Sequence, residues 1–410
     1  MTGRFTIPAF SAYGLELEYM IVDRTSLAVR PLADRLLQAF AGGPAASVAH
    51  GPLGWSNELV RHVIEVKNVE PTPALDALAK ALQQEVARAN VELVALDAQL
   101  MPTGMHPSMD PRVETELWTQ DASEIYAAYD RIFGCRQHGF ANLQSMHINL
   151  PFAGDAEFER LHAAVRLVLP FIPALAASSP LADGKLSGFL DYRLEVYRTN
   201  AGALSTIAGD IVPDTATGRA QYTEDVFAPM YREIEPHDPD GVLRHEWLNS
   251  RGAIPRFDRS AIEIRVADTQ ECPEADVAIA AVVTEVVHAL YRGRWSSLGK
   301  QQSIPTPTLV AQLHDTIRRA EGAVVADRAL LRVLGLRRES CTARDVWAYW
   351  VGAIDRRKQA WWRPAIDWIL AEGTLATRIV RAVNGNYHPD RIRQVYSDLC
   401  RCLAVGRMMH

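Results

Sequence analysis

Four short stretches alternate polar and apolar residues with the two-residue period of a β-strand. They are Gly14-Leu15-Glu16-Leu17-Glu18-Tyr19, Val63-Ile64-Glu65-Val66-Lys67, Gln144-Ser145-Met146-His147-Ile148-Asn149-Leu150 and Ala261-Ile262-Glu263-Ile264-Arg265-Val266. Successive strand side chains point to opposite faces, so Glu16 and Glu18 share a face, as do Glu65 with Lys67, Ser145 with His147 and Asn149, and Glu263 with Arg265. The other face of each strand carries Leu, Ile, Val or Met and can pack on a core. A helical period replaces this alternation between Leu75 and Leu96, where an apolar stripe predicts a long helix capped by Thr72 and Pro73. Further helices are expected over residues 31–41, over 121–134 and in two runs between 155 and 178. Residues 180–260 have no clear period and are expected to be functional loop. From Cys272 onward the pattern is helical. The expected fold class is α+β: an antiparallel sheet with one polar face and helices on the other, plus a helical C-terminal third. Residues 1–290 would form the sheet domain, and 291–410 a helical region packed on it.

Composition narrows the partners. The 410 residues are 48% hydrophobic and 22% charged, with a formal net charge of −6. This balance gives no electrostatic reason to expect nucleic acid. The densest basic groups, Arg318-Arg319, Arg337-Arg338 and Arg356-Arg357-Lys358, read as solvated helix faces. The longest uncharged stretch, 167–182, is interrupted by Pro170, Pro173 and Pro180, too short and too broken for a bilayer. Residues 1–10 lack the basic start and apolar run of a secretory leader. Five cysteines (135, 272, 341, 400 and 402) form no disulfide framework, which suggests reduced thiols and a cytoplasmic location.

The polar strand faces carry the candidate chemistry. Glutamates at i and i+2 on a strand stand about 7 Å apart, close enough to hold neighbouring ions. Magnesium takes hard oxygen ligands completed by water and nucleotide phosphate. Glu16, Glu18, Glu65 and Glu263 are therefore candidate metal ligands, with His147 as a nitrogen ligand or hydrogen-bond partner. Lys67 and Arg265 are candidate phosphate contacts. Any one of these strands alone reads as the solvent face of an edge strand or as a surface ion pair; it is their joint occurrence that favours a site. No P-loop, dinucleotide-binding glycine turn or nucleophile elbow is present.

The same segments resemble, in order, the motifs of the glutamate–cysteine ligase superfamily in its bacterial carboxylate–amine ligase branch. Gly14 to Tyr19 with Asp23 is similar to its opening strand, and Asn57-Glu58-Leu59 through Val66 to its second acidic strand. Gly104-Met105-His106-Pro107 resembles its GxHP loop, and Ser145 to Asn149 its histidine strand. Ser178-Ser179-Pro180 through Tyr192-Arg193 and Pro255-Arg256-Phe257 through Asp268-Thr269 resemble its later segments. Asn149 stands where the family commonly has a second histidine.

The resemblance implies a curved antiparallel sheet related to glutamine synthetase and the guanidino kinases. It implies ATP and Mg²⁺ as cofactors, and activation of a carboxylate, typically the γ-carboxylate of glutamate, before its capture by an amine such as cysteine. It places Glu16, Glu18, Glu65, His147 and Glu263 at the metals or in their close support, with Glu58 on the second strand as a weaker candidate. Arg193, Arg256 and Arg265 would be catalytic contacts to phosphate or carboxylate, with Lys67, Arg256 and Arg265 on the nucleotide. Partners would be small-molecule substrates, and a second copy of the chain in a homodimer. Two alternatives stay open at this stage: phosphoryl transfer to a guanidine or carboxylate without ligation, and a non-catalytic binding protein on the same scaffold.

Overall fold

The protein is described by a computed structural model covering residues 6–354 and 361–410. All the alternating stretches are strands of one eight-stranded sheet. Its members are β1 (Gly14–Asp23), β2 (Ser47–His50), β3 (Leu53–Asn57), β4 (Val63–Asn68), β5 (Ala98–Met101), β6 (Ser145–Pro151), β9 (Ala253–Arg256) and β10 (Ala261–Asp268), while β7 (Leu181–Ala182) and β8 (Lys185–Leu186) form a separate pair. The order is β2-β3-β4-β1-β6-β10-β9, with β5 also paired to β1, and every pairing in the sheet is antiparallel. The central strand β1 thus has β4 along one edge, and β6 and then β5 along the other.

The apolar face dictates what covers the sheet. Leu15, Leu17, Tyr19 and Ile21 of β1 are at most 1% exposed and join Leu82, Val86, Val282 and Val286 in one core. Those partners lie on the helices Leu75–Val94 and Pro273–Tyr291, and the second of these also packs on Gly154–Val168. Alternation on the strands and a 3.6-residue stripe on the helices are the two halves of this interface. The helices Thr306–Arg319, Ala343–Ala353 and Arg363–Glu372 share the same core, whereas Leu375–Val383 and Pro389–Val405 pack mainly in a second cluster with Met20 and Val22 of β1. The buried Trp347 donates its indole N–H to the Phe171 carbonyl at 2.7 Å, and Thr342 caps the helix Ala343–Ala353 in a reciprocal pair with Asp345.

Several expectations need correction. The long helix starts at Leu75 without a side-chain cap, because the cap position is Ala74; Thr72 lies two residues earlier, bridged to Tyr13 through its backbone, and its hydroxyl accepts from Ala74 N–H at 3.2 Å. The helix expected to open at Asp121 starts at Ser123, after Ala122 in a left-handed conformation, and a short helix, Pro111–Glu114, precedes it. Residues 180–260 are not all loop: they contain β7, β8, β9 and helices at Tyr192–Asn200 and Ala228–Ile234. Arg318 and Arg319 are exposed at a helix end, whereas Arg337 and Arg338 are exposed on a loop. Arg356, Arg357 and Lys358 lie outside the described residues. No helix among the described residues is long and apolar enough to cross a membrane.

Candidate active site

Antiparallel register assembles the site. Glu16 stands opposite Lys67 on β4 and opposite His147 on β6; Glu18 stands opposite Glu65, and Glu263 opposite Asn149. The four strand glutamates therefore meet on the polar face. Glu18, Glu65 and Glu263 are buried, at 8%, 3% and 2% exposure. Oxygen or nitrogen atoms of Glu16, Glu65 and His147 lie within 4.8 Å of one another, as do those of Glu18, Glu58 and Glu65. Glu65 belongs to both groups.

Each carboxylate has its own support. Asn149 Nδ2 donates to Glu16 Oε1 at 3.0 Å. The backbone N–H and hydroxyl of Ser145 donate to Glu18 Oε2 at 2.7 and 3.0 Å. Ser56 donates to Glu65 at 2.9 Å, and Lys67 forms an ion pair with the same oxygen. Arg265 Nε donates to Glu263 Oε1 at 2.6 Å, while Arg256 reaches Oε2 at 3.3 Å. His147 lies at the centre. Its Nε2 is 2.9 Å from the Ser145 hydroxyl, and its Nδ1 is 3.5 Å from Glu16 and 3.7 Å from Glu263. As an imidazolium it offsets these acids; as a neutral imidazole it offers Nδ1 as a ligand.

The protonation of the cluster is uneven. Burial opposes the charged form of His147, but the hydrogen bond to Glu16 and the charges of Glu18 and Glu263 outweigh it and hold the imidazole above its ordinary value. Burial also works against Glu16, yet His147 and Lys67 keep it well below the usual carboxylate range. Burial, reinforced by the Glu16 charge, pushes Glu65 up to about 8 despite Lys67. Glu58 is driven well above the carboxylate range by burial and by Glu65 and Glu18. An anionic floor with two acids held against ionisation is short of positive charge, and a divalent cation with hard oxygen ligands would supply it. The donor set fits such an ion.

A β-bulge shapes the β10 side. Ile264 pairs with Ile148 but Ala267 pairs with Met146, so Arg265 and Val266 together oppose His147. The extra residue puts Asp268, rather than Ala267, on the polar face, opposite Ser145. There Asp268 forms an ion pair with the Arg193 guanidinium and accepts from Ser178 N–H and the Ser179 hydroxyl, both at 2.8 Å. Arg193 also points a nitrogen at the Arg265 carbonyl, 3.3 Å away. Arg193 is thus held by Asp268, and not by Asp191 or Glu195 as its neighbourhood in the chain would suggest.

The cluster separates two cavities. One, of about 720 Å³, is lined by Glu16, Ser56, Lys67, Trp55, Asn149 and Arg259 among others. The other, of about 400 Å³, is lined by Glu18, Glu58, Ser145, His147, Arg193 and Arg265, and by a set of aromatic side chains. The structure brings together Glu16, Glu18, Glu65, His147, Glu263, Lys67, Arg256 and Arg265, all picked out from the strand patterns or the arginine-bearing segments. Glu58 is drawn in more closely than its place at a strand end suggested. The aromatic residues were missed, because they lie on separate helices and turns with no common motif.

The sequence profile of the glutamate-cysteine ligase family 2 (GCS2) matches residues 12–397. An uncharacterized protein of Archaeoglobus fulgidus is 33% identical over 307 residues, 74% of this chain and 79% of that protein. A Bradyrhizobium sp. (strain BTAi1) protein provisionally named glutamate–cysteine ligase 2 is 26% identical over 303 residues, which is 71% of this chain but only 64% of the relative's length. Among solved structures, a glutamate–cysteine ligase of Francisella tularensis in complex with AMP has a TM-score of 0.61 at 11% identity, covering 98% of this chain and 90% of that one. This last likeness supports the fold. With the profile spanning nearly the whole chain, the protein belongs to glutamate–cysteine ligase family 2.

Proposed function

We propose that the protein is an ATP- and Mg²⁺-dependent carboxylate–amine ligase, with residues 1–290 carrying the catalysis and 291–410 a helical region packed on them. The observation that carries this reading is the pair of three-residue groups, Glu16–Glu65–His147 and Glu18–Glu58–Glu65, at the junction of two cavities. Glu16, Glu18, Glu58, Glu65 and Glu263 would hold Mg²⁺, with His147 as a further ligand or counter-charge. Bound magnesium would neutralise phosphate charge while two anions approach.

The larger cavity, with Lys67 at its wall, would take the nucleotide, and the smaller one the carboxylate and amine. A carboxylate oxygen attacks the terminal phosphorus of ATP and ADP departs. The amine nitrogen then attacks the acyl carbon, the carbon–oxygen bond to phosphate breaks, and the nitrogen's proton passes to solvent. Arg256 and Arg265 bracket Glu263 and would orient phosphate or carboxylate in this sequence, since a planar guanidinium matches either anion. Arg193, fastened to Asp268, would present its remaining edge to the smaller cavity. Glutamate, through its γ-carboxylate, is the first candidate for the donor. All five thiols are free, which suits a reducing, cytoplasmic setting.

Hydroxylamine tests the reading, because it traps an activated carboxylate of any kind as a hydroxamate. The protein is incubated with ATP, Mg²⁺, hydroxylamine and a panel of carboxylates led by glutamate. A hydroxamate formed together with phosphate, and lost on adding EDTA or in Glu16→Ala and Glu263→Ala, is the expected result. A panel that yields neither hydroxamate nor phosphate overturns the proposal.

A further inference from the structure

We infer that the amine joined at this site is an arylalkyl primary amine rather than cysteine, an inference that rests on the ligase reading above. The smaller cavity is chemically divided. Its sheet side presents Glu18, Glu58, His147 and Arg265. Its other walls combine aliphatic side chains, among them Leu59, Val60 and Leu143, with aromatic rings: Tyr126 and Tyr129 come from successive turns of the helix Ser123–Phe133, Phe140 from the short helix after it, and Trp247 from the turn Glu246–Leu248.

Tyr129, Phe140 and Trp247 form a connected surface, and Tyr126 lines the same cavity. Tyr129 and Trp247 have centroids 6.2 Å apart with planes inclined by 31°, and Tyr129 meets Phe140 edge-on at 6.2 Å. Trp247 is fixed from behind by His245, stacked on it at 5.5 Å. Tyr126 is fixed by Asn57, whose amide donates to its hydroxyl at 3.0 Å. A rigid wall of this kind offers ring faces and edges to a flat apolar body. Among the described residues, no cysteine or methionine lines the cavity.

Volume permits such a ligand: about 400 Å³ lies within the range of pockets that enclose whole small molecules, and the space is shared by the carboxylate and the amine. Cysteine has no ring to set against Tyr126, Tyr129 and Trp247, whereas an arylalkyl amine does. A primary amine with its nitrogen toward the sheet side and its ring against Tyr126, Tyr129 and Trp247 matches both sides of the cavity. The amine would then stand beside the cluster where the carboxylate is activated.

The test compares amines under the conditions of the hydroxylamine assay, with the best carboxylate of that panel. Phenethylamine and tyramine are set against cysteine, glycine and ethanolamine, with phosphate release measured and the amide identified by mass. At least a tenfold higher kcat/KM for phenethylamine than for cysteine is expected. Trp247→Ala should lower the phenethylamine-to-hydroxylamine ratio at least tenfold, mainly through KM, and Trp247→Phe should restore most of it. Should Trp247→Ala fail to fold, Tyr126→Leu serves the same comparison. If hydroxamate forms but phenethylamine is no better than cysteine, or if removing the ring leaves the ratio unchanged, the inference falls and the ligase reading stands. If no hydroxamate forms with any carboxylate, both fall.

Discussion

Gly104 and Asp268 pack so closely that a Cβ on the glycine would stand 2.4 Å from the carboxylate carbon. The glycine is therefore required by space, because its loop delivers its backbone N–H to the Ser178 hydroxyl at 2.8 Å, directly over the Asp268–Arg193 pair. Gly104→Ala is expected to cost about 1–3 kcal/mol, the usual range for an overpacked interior. Urea unfolding checks this. Wild-type stability would show that the loop can move away and that Asp268 does not need the close approach.

The Asp268–Arg193 pair is itself buried, with both residues at no more than 1% exposure. Removing one partner of such a pair leaves a charge without compensation, at a cost of roughly 3–5 kcal/mol. Asp268→Asn should therefore destabilise the protein on that scale, although its shape is nearly unchanged. Asp268→Asn combined with Arg193→Met should recover much of the loss in the same unfolding measurement, since no unpaired charge remains. Additive losses would show that the two residues do not act as a pair.

Glu58 is the acid of the cluster with the clearest separation between stability and function. It faces Glu65 and Glu18, both like-charged. In EDTA, Glu58→Gln is expected to stabilise the protein by roughly 1 kcal/mol, because an acid that resists ionisation is replaced by a neutral amide. In Mg²⁺ the order should reverse. A ligand at ten times its dissociation constant adds about 1.4 kcal/mol to the wild type, and the variant should gain less. Thermal unfolding with and without Mg²⁺ reads both arms. A variant as responsive to Mg²⁺ as the wild type would remove Glu58 from the metal site.

Much of this arrangement was legible in the chain because a strand's period is two. Alternation was enough to place Glu16, Glu18, Glu65, Lys67, His147 and Glu263 on one face, and antiparallel pairing then had only to bring the strands together. The same rule misplaces Asp268: counting on from Glu263 and Arg265 would put Ala267 on the polar face, and only the bulge opposite His147 exchanges the two. A bulge depends on the partner strand and leaves no periodic trace in its own. The short strands β2, β5 and β9 escaped for a related reason, since four residues give too little pattern to separate strand from loop. Tyr126 and Trp247 were beyond reach because 120 residues of chain separate them and only tertiary closure makes them one wall.

Three histidines outside the cluster give the protein a pH dependence of its own. His62 donates through Nε2 to the Ala141 carbonyl at 2.7 Å, His106 through Nε2 to the Leu27 carbonyl at 2.9 Å, and His162 lies among Phe158 and Tyr222 with neither ring nitrogen partnered. Burial pushes His62 and His106 down to about 4 and His162 to about 3. Each is neutral when folded but takes a proton near pH 6.5 when unfolded, so the unfolded state binds more protons below that pH. The stability these residues contribute is complete above about pH 6.5 and is lost as the pH falls toward 4. Each histidine adds a slope of up to about 1.4 kcal/mol per pH unit in that window. Carboxylates titrate over part of the same range, so the difference between wild type and His162→Leu isolates a single histidine. That variant should be at least as stable at pH 7, because no buried nitrogen is left without a partner, and its stability should fall less steeply between pH 6 and 4. Urea midpoints measured across this interval decide it: parallel curves would mean that His162 is protonated in the folded protein as readily as in the unfolded one.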